Sequence, residues 1–384
     1  MISVKFRTSK WLQISGVNTA KTEHETHFAR RRRAAKLHED RSARARNGEV
    51  HVRLCANARA HRPALRRQHV ADFFSRAGDA APDINLEVGS GSHAEQTAQV
   101  MLRFEPLLAQ FQPDWVLVPG DVNSTLACAL VASKLGIKIA HVEAGLRSFD
   151  RSMPEEINRL LTDQIADLLL TTSRDANENL VREGIAPEKI HFVGNTMIDT
   201  LVRLIPFAEK RWPALRSELA LDKFVLVTLH RPNNVDDAAG LGEITAALNE
   251  ISADLPVIFP VHPRTRARIS EFGVTVGEDV RLVDPIGYVD FLALQAHAAV
   301  VVTDSGGVQE ETTFLGVPCL TVRPNTERPV TINTGTNQLV ERNSNAIVAE
   351  IKNALTRPRK ESMPRPELWD GHTAERIVGL FRQI

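Results

Sequence analysis

The sequence predicts an α/β protein made of two Rossmann-like, doubly wound domains facing across a cleft. Three observations point there. From about Phe111 onward, short apolar runs of strand length alternate with amphipathic runs of helix length. This is the pattern of βαβ units with helices on both faces of a parallel sheet. The alternation begins afresh at Phe224, after a less apolar stretch near 204–222 that contains Pro206 and Pro213 and reads as the boundary between domains. Acidic or glycine-containing turns follow several of the strands, which is where ligands bind in such folds.

Each element has its own warrant. In the first series, strands are expected at 115–119, 139–142, 168–172 and 190–193, with helices near 123–135, 154–167 and 174–183 between them. Gly194-Asn195-Thr196 opens a further helical run. In the second series, strands are expected at 224–229, 256–261, 280–283, 299–303 and 318–322. The tail His372–Ile384 has the pattern of a final amphipathic helix. The resulting division is a first domain over 1–203, completed by the C-terminal helix in 365–384, and a second over 204–364.

Bulk properties set limits. A chain of 384 residues is long for one core, so two domains are the default. No apolar run approaches the ~20 residues of a membrane span, which argues against a membrane protein. Cys55, Cys128 and Cys319 are odd in number and far apart. They form neither a disulfide framework nor a CxxC metal pair, and together with the lack of a signal-peptide apolar core they suggest the cytoplasm.

Residues 1–80 break the order. They carry 18 Lys and Arg against 7 Asp and Glu, while the remainder carries 29 against 40. Arg30 to Arg33 are four consecutive arginines, and Val50–Leu54 is the one strand candidate there. A basic arm usually suggests nucleic acid, but this one lacks the interleaved aromatics of a single-strand binder.

The chemistry-bearing residues cluster at strand ends. After the run 299–303 comes Asp304-Ser305-Gly306-Gly307-Val308-Gln309-Glu310-Glu311. A strand that breaks into Ser-Gly-Gly and reopens as a helix presents free N–H groups to an anion. Ser305, Gly306 and Gly307 are therefore candidate phosphate donors, and Glu311 could accept sugar or ribose hydroxyls. Arg328, in Thr326-Glu327-Arg328-Pro329, suits a phosphate contact. His230 and Arg231 end the first strand of the second series, and His262 ends the next in the same way; both positions suit pyrophosphate neutralisation. In the first series Asp121 and Glu143 end neighbouring strands, and Glu155-Glu156 follow Pro154 at a helix start, with Arg159 near enough to pair with either. Gly89-Ser90-Gly91-Ser92 lacks the third glycine of a dinucleotide fingerprint and reads as a loop, which argues against a nicotinamide enzyme. Neither His230 nor His262 has metal-ligand spacing to a partner, so no metal is expected, and no cofactor is expected either.

Taken in order, Pro119-Gly120-Asp121, His141-Val142-Glu143-Ala144-Gly145-Leu146-Arg147, Pro154-Glu155-Glu156-x-Asn158-Arg159, Gly194-Asn195-Thr196, His230-Arg231, the Asp304–Glu311 segment and Thr326–Pro329 closely resemble the non-hydrolysing UDP-N-acetylglucosamine 2-epimerases, over roughly residues 82–384. The resemblance implies a glycosyltransferase-B-type fold with UDP-GlcNAc in the cleft and UDP-N-acetylmannosamine as product, in the service of surface polysaccharide. It implies that Ser305, Gly306, Gly307, Glu311, Arg328 and His230 hold the UDP moiety, with Phe291 near the uracil and Ile286 where bacterial members have glutamine. Asp121, Glu143 and Glu155 match the family's acidic catalytic residues, and His230 is counted with them. Arg159 and His262 join the substrate-binding set. A homodimer is expected on the same basis.

The family chemistry explains this inventory. The sugar C2 proton has no adjacent carbonyl to acidify it, so UDP is eliminated across C1–C2 to leave a glycal, then added back with the proton on the other face. The departing anion needs dipoles and cations, the oxocarbenium character needs a nearby carboxylate, and proton transfer needs tuned acids and bases.

The N-terminal part departs from the family pattern. It lacks a first strand followed by G-x-R-P, and the later Q-H segment. Residues 32–41 and 61–69, read one base over from plausible GC-rich codons, spell peptides closer to that pattern. Parts of 1–80 are therefore expected to be out-of-frame translation, and the chain as written is expected to lack the central strand of its first domain, with poor folding and weak turnover. Three other outcomes fit the same residues: a hydrolysing epimerase, an epimerase of a modified UDP-sugar, and a degenerate UDP-sugar-binding homologue.

Overall fold

The computed structural model describes residues 11–16, 51–56, 84–356 and 365–384, the first two segments as backbone only. They divide into two compact units. One ends at Val193 and takes in Ala374–Ile384; the other is Gly194–Thr373.

The first unit runs β1 (Trp11–Gly16), β2 (His51–Ala56), β3 (Ile84–Asn85), α1 (His93–Phe111), β4 (Trp115–Pro119), α2 (Asn123–Lys134), β5 (Lys138–Ala144), α3 (Pro154–Ile165), β6 (Leu168–Thr171), α4 (Arg174–Arg182) and β7 (Ile190–Phe192). Its seven strands lie in the order β3-β2-β1-β4-β5-β6-β7, and all pairings are parallel. The order reverses between β1 and β4, which makes that edge the topological switch point. Val116, Leu117 and Val118 are all buried, as expected for a strand covered on both faces. Helix α1 starts from a reciprocal cap: the Glu95 N–H donates to Ser92 Oγ at 3.2 Å, and the Ser92 N–H donates to Glu95 Oε2 at 2.9 Å. Each bond satisfies a donor that a helix start leaves open. The C-terminal helix Thr373–Phe381 packs Ile377 and Phe381 with Leu117, Ala140 and Leu170. Phe381 meets Trp115 edge-on at 5.4 Å.

The second unit runs α5 (Thr196–Glu218), β8 (Val225–Thr228), α6 (Pro232–Val235), α7 (Ala238–Ser252), β9 (Val257–Pro260), α8 (Pro263–Glu271), β10 (Val280–Val283), α9 (Tyr288–His297), β11 (Val300–Thr303), α10 (Gly306–Leu315), β12 (Cys319–Val322), α11 (Val330–Asn333), β13 (Asn337–Val340) and α12 (Ser344–Thr356). Its sheet order is β10-β9-β8-β11-β12-β13, again all parallel. This is the 3-2-1-4-5-6 order of a Rossmann unit, with the switch point between β8 and β11.

Two sequence expectations are corrected. The stretch 204–222 is not a boundary: most of it lies inside α5, which runs through Pro206 and Pro213. Ile198, Leu201, Leu204, Ala208 and Leu215 are buried on that helix, and their packing outweighs the backbone bonds that the prolines forfeit. The units divide instead at Gly194. The first sheet does not lack a central strand: β1 fills that place, pairing Trp11 with His51 on one side and with Trp115 on the other. The shifted-frame stretches 32–41 and 61–69 lie outside the described residues. Among the described residues no helix is long and apolar enough to cross a membrane.

Candidate active site

In the first unit, Asp121 follows the end of β4 and Glu143 is the penultimate residue of the neighbouring β5. Asp121 comes two residues after β4, beyond Gly120, whose φ of 67° turns the chain. Glu143 sits at a register shift between β5 and β6 and takes a φ of 68°, a left-handed conformation that is uncommon for a side-chain-bearing residue. Arg159 is buried on α3. Its Nη1 lies 2.5 Å from Asp121 Oδ2 and its Nη2 lies 2.9 Å from Glu156 Oε2. Of the two glutamates offered to it by the sequence, Glu156 is therefore the partner. Glu156 also accepts from the Ser148 N–H and hydroxyl at 3.0 Å each, and from the Phe149 N–H at 2.9 Å. It fixes the loop ahead of α3, whereas Glu155, one residue earlier, is only half-buried.

Below these carboxylates lies a buried ionic chain that the sequence reading did not assign to the site. His141 Nδ1 is 2.6 Å from Asp163 Oδ1 and its Nε2 is 2.8 Å from the Gly120 carbonyl. Arg147 Nη2 is 2.7 Å from Asp163 Oδ2 and 2.6 Å from Glu183 Oε2. The strand position of His141 was legible, but its partners come from a helix and a turn 22 and 21 residues away.

In the second unit the site gathers at the switch point. Asp304, directly after β11, is fully buried and accepts from the Arg231 N–H at 2.9 Å, the His230 N–H at 3.1 Å and Asn234 Nδ2 at 3.1 Å. His230 Nδ1 lies 3.0 Å from its Oδ1. Burial pushes the Asp304 carboxyl up, but His230 and the Arg231 and Asn234 donors outweigh it and hold it below the usual range. Asp304 thus holds the end of β8 against the start of α10. Ser305 is the N-cap residue of α10 and its side chain makes no capping bond to that helix. The first-turn N–H groups at Gly306 and Gly307 therefore have no carbonyl partner within the helix and point outward at its positive end.

Arg328 lies beside that helix start. Its Nε is 2.9 Å from Glu310 Oε1 and its Nη1 is 2.5 Å from Glu327 Oε1. Gly306 leaves the room: a Cβ there would sit 2.9 Å from both Arg328 Cζ and Glu327 Oε1. Burial favours protonation of Glu327, but the guanidinium groups of Arg328, Arg323 and Arg231 prevail and hold it far below the usual carboxylate range. Glu310 is pushed up by burial against the pull of Arg328 and Asn195. Burial also lifts Glu311 to about 7, although Tyr288 donates its hydroxyl to Glu311 Oε1 at 2.7 Å. Tyr288 is the only tyrosine in the chain, and no sequence pattern tied it to Glu311.

Phe291, on α9, is half-buried and packs, as Ile286 and Trp212 do, against a buried cluster that includes Leu294. His262 is exposed, and its Nδ1 accepts from the Arg264 N–H at 3.2 Å, capping α8.

Two Rossmann units, one with an anion-ready helix start beside a buried arginine and the other with acidic residues at adjacent strand ends, define a glycosyltransferase-B-like protein that handles phosphorylated ligands. Comparison narrows this. A family model described as UDP-N-acetylglucosamine 2-epimerase matches residues 43–382, starting well before the motif resemblance does. The UDP-N-acetylglucosamine 2-epimerase of Methanococcus maripaludis is 45% identical over 276 residues, 70% of this chain and 75% of that protein. The UDP-2,3-diacetamido-2,3-dideoxy-D-glucuronate 2-epimerase of Pseudomonas aeruginosa is 44% identical over 271 residues, 70% and 75% of the two chains. The crystal structure of Methanocaldococcus jannaschii UDP-GlcNAc 2-epimerase in complex with UDP-GlcNAc and UDP superposes with a TM-score of 0.80 at 37% identity, covering 98% of this chain and 100% of that one. The chain belongs to the UDP-N-acetylglucosamine 2-epimerase family.

Proposed function

We propose that this protein interconverts UDP-GlcNAc and UDP-ManNAc without hydrolysis. The C2 proton leaves to a carboxylate, the C1–O bond to UDP breaks, and a C1=C2 double bond forms. UDP then returns to C1 as a proton is delivered to the opposite face of C2. The observation that carries this reading is the second unit's strand-end site, where the Ser305–Gly307 helix start lies beside Arg328. Those groups, with His230, suit a departing diphosphate, and Glu311 suits ribose hydroxyls. Phe291 offers an aromatic face for the uracil. Asp121, Glu143 and Glu155 supply acid–base and electrostatic roles, with Arg159 orienting Asp121 through their ion pair. No metal or cofactor enters the reaction. A cytoplasmic homodimer supplying surface-polysaccharide precursors is the setting we propose, and the buried free thiols of Cys128 and Cys319 fit a reducing compartment.

A second reading keeps the chemistry and changes the sugar. The relative from P. aeruginosa, named for a diacetamido uronate, is nearly as similar as the one from M. maripaludis. Incubation with each UDP-sugar, followed by product separation and NMR, decides. UDP-ManNAc from UDP-GlcNAc supports the first reading. Turnover of the diacetamido uronate alone supports the second, and release of free ManNAc with UDP would assign a hydrolysing enzyme.

A further inference from the structure

Helix α3 buries an unusual face. Glu156, Asn158, Arg159, Thr162 and Asp163 are its buried residues, while Leu161 is 47% exposed. A helix normally buries its apolar stripe, and charges are buried only when each is paired. Asp163 is the most central of these charges. Its Oδ1 meets His141, and its Oδ2 accepts the Gly145 N–H at 3.1 Å and faces Arg147.

Both oxygens of Asp163 hold backbone that carries a proposed catalytic carboxylate. Through His141, Oδ1 reaches the Gly120 carbonyl, one residue before Asp121. The Gly120 N–H is tied in turn to the Val142 carbonyl at 3.0 Å. Through the Gly145 N–H, Oδ2 fixes the far side of the bulge at Glu143. The Gly145 carbonyl is held from the other direction by Asn179 Nδ2 at 2.9 Å. Gly145 has a φ of 79°, and a Cβ there would meet the Ala176 carbonyl oxygen at 2.5 Å, so the chain has little room to relax.

The charge on His141 follows from its partners. A backbone carbonyl and a carboxylate only accept hydrogen bonds, so both ring nitrogens must donate. We propose that His141 and Asp163 are positioning residues, a buried imidazolium–carboxylate strut that ties the turn carrying Asp121 to the bulge carrying Glu143. This rests on the epimerase reading of those two carboxylates. The groups around the imidazole agree. Asp163 faces it from α3, the Gly120 carbonyl from the turn after β4, and Glu143 acts from its own strand, while Arg147 reaches only the far oxygen of Asp163 and is itself balanced by Glu183. Burial alone would lower the His141 pKa, but Asp163, the Gly120 carbonyl and Glu143 together raise it. Asp163 is shifted the other way: burial works to raise it, and His141 and Arg147 hold it low. The strut is intact while both ring nitrogens of His141 are protonated, and it loses one proton, and with it one donor, as pH rises through the elevated His141 value.

The test uses the full chain with Asp163→Asn, and His141→Gln as a second variant should the first not fold. A displacement of the reacting groups by about 1 Å costs about 100-fold. We expect kcat to fall by that order, with KM and calorimetric UDP affinity within about twofold of the parent. The alkaline limb of the kcat profile should move down by about one to three pH units in Asp163→Asn and disappear in His141→Gln. Independently of turnover, 15N shifts should report both His141 nitrogens protonated at pH 7.5 in the parent. The amide signals of Asp121 and Glu143 should move together in either variant. A neutral His141, amides that move separately, or an unmoved alkaline limb overturns the proposal. A charged His141 with coupled amides in a parent that turns over no UDP-sugar leaves the strut standing and removes the epimerase reading instead.

Discussion

Gly306→Ala is the sharpest probe of the diphosphate grip. The new methyl would lie 2.9 Å from Arg328 Cζ and from Glu327 Oε1, where ordinary contact begins at 3.4 Å. No left-handed backbone is involved, so the effect is purely one of space. Arg328 Nη1 would come closer still, so the guanidinium must withdraw by about one ångström, and it cannot do so without loosening its contacts at 2.9 Å to Glu310 and 2.5 Å to Glu327. An arginine displaced from a phosphate loses one charge-assisted hydrogen bond, about 1.5–3 kcal/mol, or about 10- to 150-fold in Kd. Isothermal titration with UDP reads this directly. Gly242→Ala is the control, because a Cβ there meets nothing within 4 Å, and its affinity should match the parent. If Gly306→Ala binds UDP within about twofold of the parent while remaining folded, the position of Arg328 is not what holds the diphosphate.

The adjacent glutamates of α3 should separate by phenotype. Glu155→Gln should leave the melting temperature unchanged and reduce turnover by about two to four orders of magnitude, the usual contribution of general acid–base catalysis. Glu156→Gln breaks a buried pair with Arg159 and should cost about 3–5 kcal/mol of stability, seen as a lowered urea midpoint. Glu311 gives a pH signature. Its folded value of about 7 lies above the ordinary carboxylate value, so the folded state keeps a proton that the unfolded chain has lost between about pH 4.5 and 7. Stability should therefore fall by about 3 kcal/mol as pH rises through that window. In Glu311→Gln this difference should vanish, and in Tyr288→Phe the window should extend upward, since the phenol no longer steadies the carboxylate. Urea midpoints measured from pH 4.5 to 8 check both.

Much of the fold was legible because parallel strands buried on both faces are written as continuous apolar runs. The runs at 115–119 and 280–283 coincide with β4 and β10. Strand β1 was not legible: Trp11-Leu12-Gln13-Ile14-Ser15-Gly16 is a short run of mixed polarity, and its strand character comes from pairing with β2 and β4. The start of helix α5 was legible at Gly194-Asn195-Thr196, but its continuation through Pro206 and Pro213 was hidden by those prolines, although the buried residues at 198, 201, 204 and 208 recur at helical spacing. At the site, residues that follow strand ends could be named from sequence, because topology brings them to one edge. The supports could not. Asp163 reaches His141 and Gly145, and Tyr288 reaches Glu311, across separations that carry no local pattern. Helical spacing left Glu155 and Glu156 equally open as the partner of Arg159, and the fold selects Glu156.

The most direct test of the account is the fate of the C2 hydrogen in heavy water. Elimination and re-addition predicts that UDP-GlcNAc incubated with the protein yields UDP-ManNAc carrying deuterium at C2, with deuterium also appearing at C2 of the recovered UDP-GlcNAc. UDP-ManNAc that retains its original hydrogen, or nucleotide sugar that remains unexchanged and unepimerised, would contradict it.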